Sequence, residues 1–294
     1  MRIRLLGTGT PTPSLRRQCS GYVVEVGSDV LVFDHGFGAH HRLLELGIKA
    51  TDVTHLFFTH LHYDHCGDYA RIILTRWDQG VGEVGDLKVF GPAPLARMTE
   101  QLFGVGGVYE SDLVARTSHG CSLGIYEARG GALPRLRPSP VVQELKLGES
   151  VRHGEWSVEV GDARHFQPYL TTFAFRLKHQ GLTFVYSGDS GPCPTMEDFA
   201  RGADVLVHMC HYLSGTALNG PFAESCMGHM ELARLAEAAQ VQNLVLTHIT
   251  EQFDKPGARE RAIGEMAKVY GGNLFFGEDL MEIPVTRPTL AKLM

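Results

Sequence analysis

The sequence lacks any apolar run that approaches the length of a membrane span, so we expect no transmembrane helix. It also lacks a Cys-X-X-Cys pair: its six cysteines are scattered along the chain, which favours reduced, structural thiols. Basic residues are in the minority, with 27 Lys and Arg against 33 Asp and Glu and a net charge of −6. Because polyanion binding depends on clustered Lys and Arg, this balance argues against a broad nucleic-acid surface.

The chain has 294 residues, enough for one large domain or two small ones. Hydrophobic residues make up 44% and charged residues 20%, values typical of a soluble globular protein with a sizeable core. The opening stretch from Met1 to Gly7 is too short and too soon interrupted by glycine for a signal peptide, so we expect a cytoplasmic protein. Export directed by a signal outside this sequence stays open.

Short apolar runs alternate with helical patterns along most of the chain. Arg2–Leu6 and Val205–His208 are predicted strands, and Ala39–Leu46 and His229–Ala239 are predicted helices. Neither a repeat of fixed period nor a linker divides the chain, so we predict a single domain over residues 1–294. Strands with interspersed helices in two comparable halves indicate a layered α/β arrangement.

The periodic pattern disappears between residues 104 and 140, a stretch rich in Gly, Ser and Pro. We predict an irregular insertion here, and a structureless segment of this length is more often functional than idle. Two roles are open for it. It could fold over a site elsewhere in the chain as a lid, or it could be a dimer contact or a plain surface excursion.

The segment Thr59-His60-Leu61-His62-Tyr63-Asp64-His65 places four metal-ligand side chains within six positions, directly after an apolar run. In an extended segment His60 and His62 share a face, because side chains two positions apart point the same way. Asp64 and His65 follow at the turn into a helix and can point to a second position nearby. Imidazole and carboxylate together suit zinc or another first-row ion. The alternative is a chance cluster of surface histidines, and the density of ligands argues against it.

This segment resembles the His-X-His-X-Asp-His motif of the metallo-β-lactamase superfamily, and the resemblance continues in order along most of the chain. It implies that Asp34 supports the metal-binding turn without itself binding metal. It further implies that His165 is the third histidine of one metal, that Asp189 bridges two metals and that His248 completes the second. The implied fold is a four-layer αββα sandwich with the metals at one edge of the paired sheets.

Carried over residue by residue, the resemblance implies a dinuclear site. The ligands divide into two groups that share Asp189: His60, His62 and His165 for one ion, and Asp64, His65 and His248 for the other. We expect two Zn²⁺ ions, although Mn²⁺ or Fe suits the same ligands. Two cations lower the pKa of a shared water, so hydroxide is available near neutral pH to attack a carbon, phosphorus or sulfur centre. The sequence therefore predicts a metal-dependent hydrolase.

Two further segments narrow the subgroup. The opening Leu6-Gly7-Thr8-Gly9-Thr10-Pro11 is similar to the start of ribonuclease Z-like members and lacks the third glycine of a dinucleotide fingerprint. Gly228-His229-Met230 is similar to a segment of these members whose histidine assists the leaving group, although Met230 stands where Ser or Thr is usual. His229 is therefore a candidate general acid and, with Asp64, a candidate catalytic residue. The alternative is a helix-start histidine without a catalytic role.

The sequence departs from transfer-RNA-processing members in one respect. These commonly carry a long basic arm between the third histidine and the bridging Asp, whereas His165 and Asp189 leave room for only two strands. We therefore expect not a nucleic acid but a small-molecule ester as substrate: a phosphodiester, sulfate ester, carboxylic ester or lactone. An RNA 3′-end endonuclease and a non-hydrolytic metal-binding or oxygen-using protein are the alternatives. A homodimer is compatible with each of them.

The segment His208-Met209-Cys210-His211-Tyr212 offers another set of ligand-type side chains at the end of a predicted strand. Its spacing permits a third metal site. The alternative, which we prefer, is that these residues line the pocket beside the main site, because the strand runs to the same edge of the sheet.

Overall fold

The computed structural model describes residues 1–285, and these form two seven-stranded sheets with helices around them. The strands in chain order are β1 (Arg2–Gly7), β2 (Gly21–Val26), β3 (Asp29–His35), β4 (His55–Phe57), β5 (Lys88–Gly91), β6 (Val141–Glu144), β7 (Ser150–His153), β8 (Trp156–Asp162), β9 (Phe173–His179), β10 (Leu182–Tyr186), β11 (Val205–Met209), β12 (Asn243–Thr247), β13 (Asn273–Phe276) and β14 (Glu282–Ile283). The helices are α1 (Ala39–Glu45), α2 (Tyr63–Cys66), α3 (Tyr69–Gly80), α4 (Leu95–Phe103), α5 (Glu110–Ser118), α6 (Gly120–Ala128), α7 (Met196–Ala200), α8 (Gly220–Ser225), α9 (His229–Ala238) and α10 (Ala258–Met266).

The two sheets pack face to face through an aromatic interior. Phe33 of the first sheet lies 5.9 Å from Phe175 and 5.5 Å from Phe184 of the second, measured between ring centroids. Helices α1, α3 and α4 contribute to the cluster on the outer face of the first sheet, and α9 and α10 to that of the second. This is the four-layer αββα arrangement that we expected.

Successive side chains along each strand point alternately to the two faces of its sheet. On β10, Phe184 and Tyr186 point between the sheets, whereas Val185 belongs to the outer cluster under α9. On β4, Phe57 points inward and Leu56 outward. Alternating apolar side chains that are buried on both faces are typical of strands covered on both sides.

The sheet topology brings several strand ends to the same edge. The first sheet has the order β14-β1-β2-β3-β4-β5-β6 and the second β13-β12-β11-β10-β9-β8-β7. Strands β3 to β6 run parallel, as do β10 to β13, and β8 runs in the direction of β10 because both are antiparallel to β9. In sheets of this kind functional residues gather beyond the carboxyl ends of parallel strands. The predicted ligands follow β4, β8, β10 and β12.

The prediction of an irregular segment over residues 104–140 is wrong, because the segment contains the helices α5 and α6. Leu113 is its one fully buried apolar residue, so no apolar stripe of helical period identified these helices. Ion pairs hold the segment instead: Arg116, Arg129 and Arg135 all contact Asp78 of α3. It packs beside α3, and none of its hydrogen bonds or ion pairs within residues 1–285 reaches a predicted metal ligand.

Smaller differences from the sequence patterns concern local structure. The helix expected directly after the turn with Asp64 and His65 is divided into α2 and α3 at Gly67 and Asp68. Strand β7 was not predicted, since its residues are exposed apart from half-buried Val151. Among the described residues, no helix combines the length and the apolar character that crossing a bilayer requires.

Candidate metal centre

A buried carboxylate holds the turn that carries the His60–His65 segment. Asp34, near the end of β3, is fully buried and has a φ of 55°. It accepts the backbone N–H and the hydroxyl of Thr59, both at 2.8 Å. It also accepts His65 Nδ1–H and the Tyr186 hydroxyl, both at 2.7 Å. Asp34 therefore ties β3, β10 and the turn together, and it is not a member of either ligand group described below.

Two glycines allow the neighbouring chain segments to approach this turn closely. A Cβ at Gly36 would lie 1.9 Å from the carbonyl oxygen of Asp64. Gly188 has a φ of 58°, and a Cβ there would lie 2.8 Å from Cβ of Thr59. A larger residue at either position would push the ends of β3 and β10 away from the ligands.

The first ligand group combines side chains from both sheets. One ligand atom from each member lies within 4.8 Å of the others, the members being His60, His62, His165 and Asp189. His60 Nε2 and His62 Nδ1 are 3.1 Å apart, and His165 Nε2 is 3.5 Å from Asp189 Oδ2. His62 is half-buried while the other three are buried, so one side of this group reaches the surface.

The second group is buried completely and consists of Asp64, His65, Asp189 and His248. His65 Nε2 lies 3.4 Å from Asp189 Oδ1, and His248 Nε2 lies 3.1 Å from Asp189 Oδ2. Asp64 Oδ2 is 3.3 Å from His248 Nε2. Asp189 belongs to both groups, so the structure brings together all seven residues in the two sets that the resemblance implied.

Four of the five histidines direct the same ring nitrogen away from the centre. Nδ1 of His60 contacts the Thr59 hydroxyl at 3.0 Å, and Nδ1 of His65 contacts Asp34 at 2.7 Å. Nδ1 of His165 contacts the Ser225 carbonyl at 2.9 Å, and Nδ1 of His248 contacts Nδ1 of His211 at 3.1 Å. Such contacts fix the orientation of a metal-binding imidazole and leave Nε2 for the ion. His62 differs and presents Nδ1 to the first group.

The donor atoms fit the two cations that the resemblance implies. Asp64 Oδ1 and His65 Nε2 are buried and have no hydrogen-bond partner. Leaving a buried polar atom unsatisfied costs free energy, so an interaction with a cation would stabilise both atoms. Imidazole nitrogen and carboxylate oxygen are ligands of zinc, manganese and iron alike.

The two groups differ in charge. Burial lowers the pKa values of His60, His62 and His165, so the first group supplies neutral imidazoles. Burial would also lower the pKa of His65, but Asp189 and Asp34 outweigh it and raise that pKa well above its usual value. The carboxylates that stabilise a proton on His65 would equally stabilise a metal cation.

His211 is a site residue whose contact the sequence did not identify. Its ring stacks on His248 with 5.2 Å between centroids, and burial together with the charge of His248 lowers its pKa to about 4. His208 is buried and donates Nδ1–H to the Met209 carbonyl at 2.9 Å. Within residues 1–285 the metal-capable clusters are the two groups above, which favours a position beside the main site over a third metal site.

His229, the candidate general acid, begins α9 and is fully buried. Its Nδ1 accepts the backbone N–H of Ser214 at 2.9 Å, and its Nε2 lies 2.8 Å from Glu265. Glu265 is also bound by Arg261 at 2.9 Å. Both ring nitrogens therefore have partners outside the ligand groups. The general-acid role stays a prediction that requires His229 to exchange Glu265 for a substrate.

Known proteins resemble this chain over most of its length. Residues 29–249 match the family model of the β-lactamase superfamily domain. A protein named ribonuclease Z from Mycobacterium sp. (strain KMS) is 30% identical over 291 residues, which cover 97% of this chain and 96% of that protein.

Solved structures support the fold. The metallo-β-lactamase fold protein YhfI from Bacillus subtilis superposes with a TM-score of 0.72 at 18% identity, covering 96% of this chain and 98% of that one. The short form of human tRNase Z superposes with a TM-score of 0.68 at 18% identity, covering 98% of this chain and 100% of that one. The family match and the ribonuclease Z relative show that the chain belongs to the metallo-β-lactamase superfamily, as a ribonuclease Z-like, metal-dependent hydrolase.

Proposed function

We propose that this protein binds two zinc ions and hydrolyses a small ester. The observation that carries the proposal is the pair of ligand groups that share the Asp189 carboxylate. A carboxylate in that position can hold two cations close enough to act on one substrate. Bound there, two cations would lower the pKa of a water and polarise the bond to be cleaved.

The protein's own residues would prepare the site for this reaction. Buried His60 and half-buried His62 present neutral nitrogens in the first group, and Asp64 supplies a carboxylate in the buried second group. Burial opposes the charge on Asp64, but His248 and His65 lower its pKa, so it is ionised at neutral pH. An ionised Asp64 carboxylate has two oxygens, so one could contact a cation while the other orients a water.

The chain between His165 and Asp189 supports a small substrate. It contains the hairpin β9–β10, which turns at Gln180 and Gly181, and a short loop that ends before Phe173. No arm for a large nucleic acid extends from this part of the chain. The net charge of −6 also works against a polyanion.

An RNA endonuclease is the second candidate, favoured by relatives named ribonuclease Z that match 97% of the chain. A cavity of about 510 Å³ is lined by several cations, including Arg16, Arg17 and Arg259. Arg17 binds Asp254 at 2.9 Å and Arg259 binds Glu278 at 2.6 Å. These acidic partners reduce the positive charge that Arg17 and Arg259 offer to a phosphate backbone.

A substrate panel separates the two candidates. The protein, loaded with zinc or manganese, would be assayed on bis(p-nitrophenyl) phosphate, p-nitrophenyl sulfate and p-nitrophenyl acetate, and on a transfer RNA precursor with a 3′ extension. We expect turnover of at least one nitrophenyl ester. Precursor cleavage that weakens steeply with salt, without turnover of any nitrophenyl ester, would support the endonuclease instead. Elemental analysis of the same samples gives the metal and its stoichiometry.

A further inference from the structure

Large aromatic side chains lie exposed beside the ligand groups. Phe166 is 53% exposed, Tyr63 57% and Phe37 51%. Phe166 directly follows His165, and Tyr63 directly follows His62. Single exposed apolar residues are ordinary on a protein surface, but several beside one site mark a place where something binds.

Phe166 contacts the first ligand group. Its ring centroid lies 4.4 Å from that of His165 and 5.3 Å from that of His62, both edge to face. Its φ is 55°, in the left-handed region that phenylalanine rarely adopts. The Gln167 side chain holds this loop, because it accepts the His165 N–H and donates to the Ala163 carbonyl, both at 2.7 Å. Strained backbone that its surroundings fix in this way clusters at functional sites.

Phe37 and Tyr63 form a second aromatic contact, with 6.0 Å between ring centroids. Phe37 lies over Gly67, where a Cβ would come within 2.8 Å of the ring. The Phe37 carbonyl accepts the backbone N–H of Cys19 at 3.1 Å. The pair is therefore held in place beside the turn that carries ligands of both groups.

Two cavities of the molecule lie away from the ligand groups. One cavity of about 510 Å³ is lined by Trp77, Tyr126 and their neighbours, and another of the same volume by Arg17, Arg259 and theirs. None of the seven ligand residues lines either cavity. Next to the ligands, these rings contribute exposed apolar surface.

We propose that Phe166 forms an aromatic subsite beside His62 and His165 that binds a flat ring in the retained part of the ester substrate, with the Phe37–Tyr63 pair as a second exposed aromatic surface beside the same metal-binding turn, an inference that rests on the proposed function. Aromatic rings pack favourably edge to face or offset at centroid separations of about 4.5–7 Å. Phe166 already packs in this way on two ligand histidines, and its side chain is 53% exposed, which leaves surface for another ring. The substrates are therefore aryl esters rather than esters with small alkyl groups alone.

Two diesters with one leaving group test the subsite. Phenyl p-nitrophenyl phosphate and methyl p-nitrophenyl phosphate both release nitrophenol and differ only in the retained group. Phe166→Asn removes the ring and keeps a residue that tolerates positive φ. We expect it to lower the phenyl-to-methyl ratio of kcat/KM about tenfold, the effect of losing one aromatic contact. Val105→Asn, at an 86% exposed position in the 104–140 segment, should keep the native ratio.

Binding without turnover separates this inference from the proposed function. Calorimetry on the zinc-loaded protein would compare phenylphosphonate with methylphosphonate, and we expect about tenfold tighter binding of the phenyl compound, lost in Phe166→Asn. If the native protein hydrolyses neither diester but keeps this preference, the proposed function fails and the subsite stands. Equal binding of both phosphonates, or an unchanged ratio in Phe166→Asn with native metal content, would overturn the subsite even if hydrolysis is observed.

Discussion

The two ligand groups share Asp189 but differ in burial and in charge. The first group reaches the surface through half-buried His62, whereas every member of the second is buried. Apart from Asp189, the first group consists of neutral imidazoles, while the second contains the Asp64 carboxylate as well. The first group is therefore the side on which a substrate can approach, and the second is the side that depends on the surrounding protein.

The buried group is supported by residues distant in sequence. Asp34 binds His65 at 2.7 Å, and His211 contacts His248 at 3.1 Å. Burying charged groups is unfavourable unless each has a partner, so the second group requires such contacts more than the first does. Removing a supporting residue should affect the buried group more strongly than the open one.

The largest effect should follow from removing the carboxylate that the groups share. Asp189→Asn keeps the shape of the side chain but loses the charge that can bind two cations. We expect kcat to fall by roughly 10³-fold, since metal-derived stabilisation of several kcal/mol would be lost, and the metal content to drop from two ions to at most one. Asp198→Asn, which changes an exposed carboxylate on α7, is the control. Two bound ions and a native rate in Asp189→Asn would show that the groups do not act together.

Asp34→Ala should destabilise the metal-free protein by about 3–5 kcal/mol. The change leaves buried His65, the Thr59 N–H and the Tyr186 hydroxyl without their shared acceptor. Urea unfolding in the presence of a chelator measures the effect. Asp29→Ala, at the start of the same strand, removes a carboxylate that accepts Trp156 Nε1–H and should cost only about 1 kcal/mol. Similar losses for the two variants would argue against a special role for Asp34.

The sequence predicted which side chains meet in the two groups better than it predicted their surroundings, for physical reasons. The turn from His60 to His65 concentrates its ligands in one short segment, and the family resemblance supplied the distant ones. Asp189 and His248 each follow an apolar run in the sequence, and these runs form β10 and β12. The sandwich itself came from the resemblance, because strand patterns do not state which strands pair.

The parts that the sequence did not predict depend on contacts between distant positions. Helix α5 has one fully buried apolar residue, Leu113, and its Glu110 pairs with Arg137. A pattern of apolar residues cannot reveal a helix held mainly by ion pairs. His211 was assigned to the right region, but its partner His248 lies 37 positions away and only the fold brings them together.

His211→Phe should distinguish the two groups by their affinity for metal. The phenyl ring replaces the stacking on His248 but cannot hydrogen-bond with Nδ1, so His248 loses the contact that orients it. Loss of such a partner typically weakens metal binding about 10–100-fold. Calorimetric titration of the metal-free variant with zinc should show this weaker binding for one of the two zinc ions and native affinity for the other. His41→Phe, at an exposed histidine on α1, is the control, and equal weakening of both ions would refute the distinction.

The smallest expected effect tests whether burial lowers the pKa of a histidine that lies outside the charged metal centre. His55 begins β4, the strand that leads to His60, and burial lowers its pKa to about 4. An unfolded histidine titrates near 6.5, so between about pH 4 and 6.5 the unfolded state binds a proton that the folded state does not. Folding stability from this residue is therefore lost as the pH falls below about 6.5.

His55→Phe, packed against Phe90 and Trp156, should remove that dependence. With a chelator present, the free energy of unfolding should fall between pH 7.5 and pH 5.5 in both proteins. This fall should be smaller in His55→Phe than in the native protein by roughly 1 kcal/mol. His41→Phe should retain the native difference. If His55→Phe leaves the pH dependence unchanged, burial alone does not lower histidine pKa values on this strand. The neutral state of the first ligand group would then have to come from its neighbouring charges.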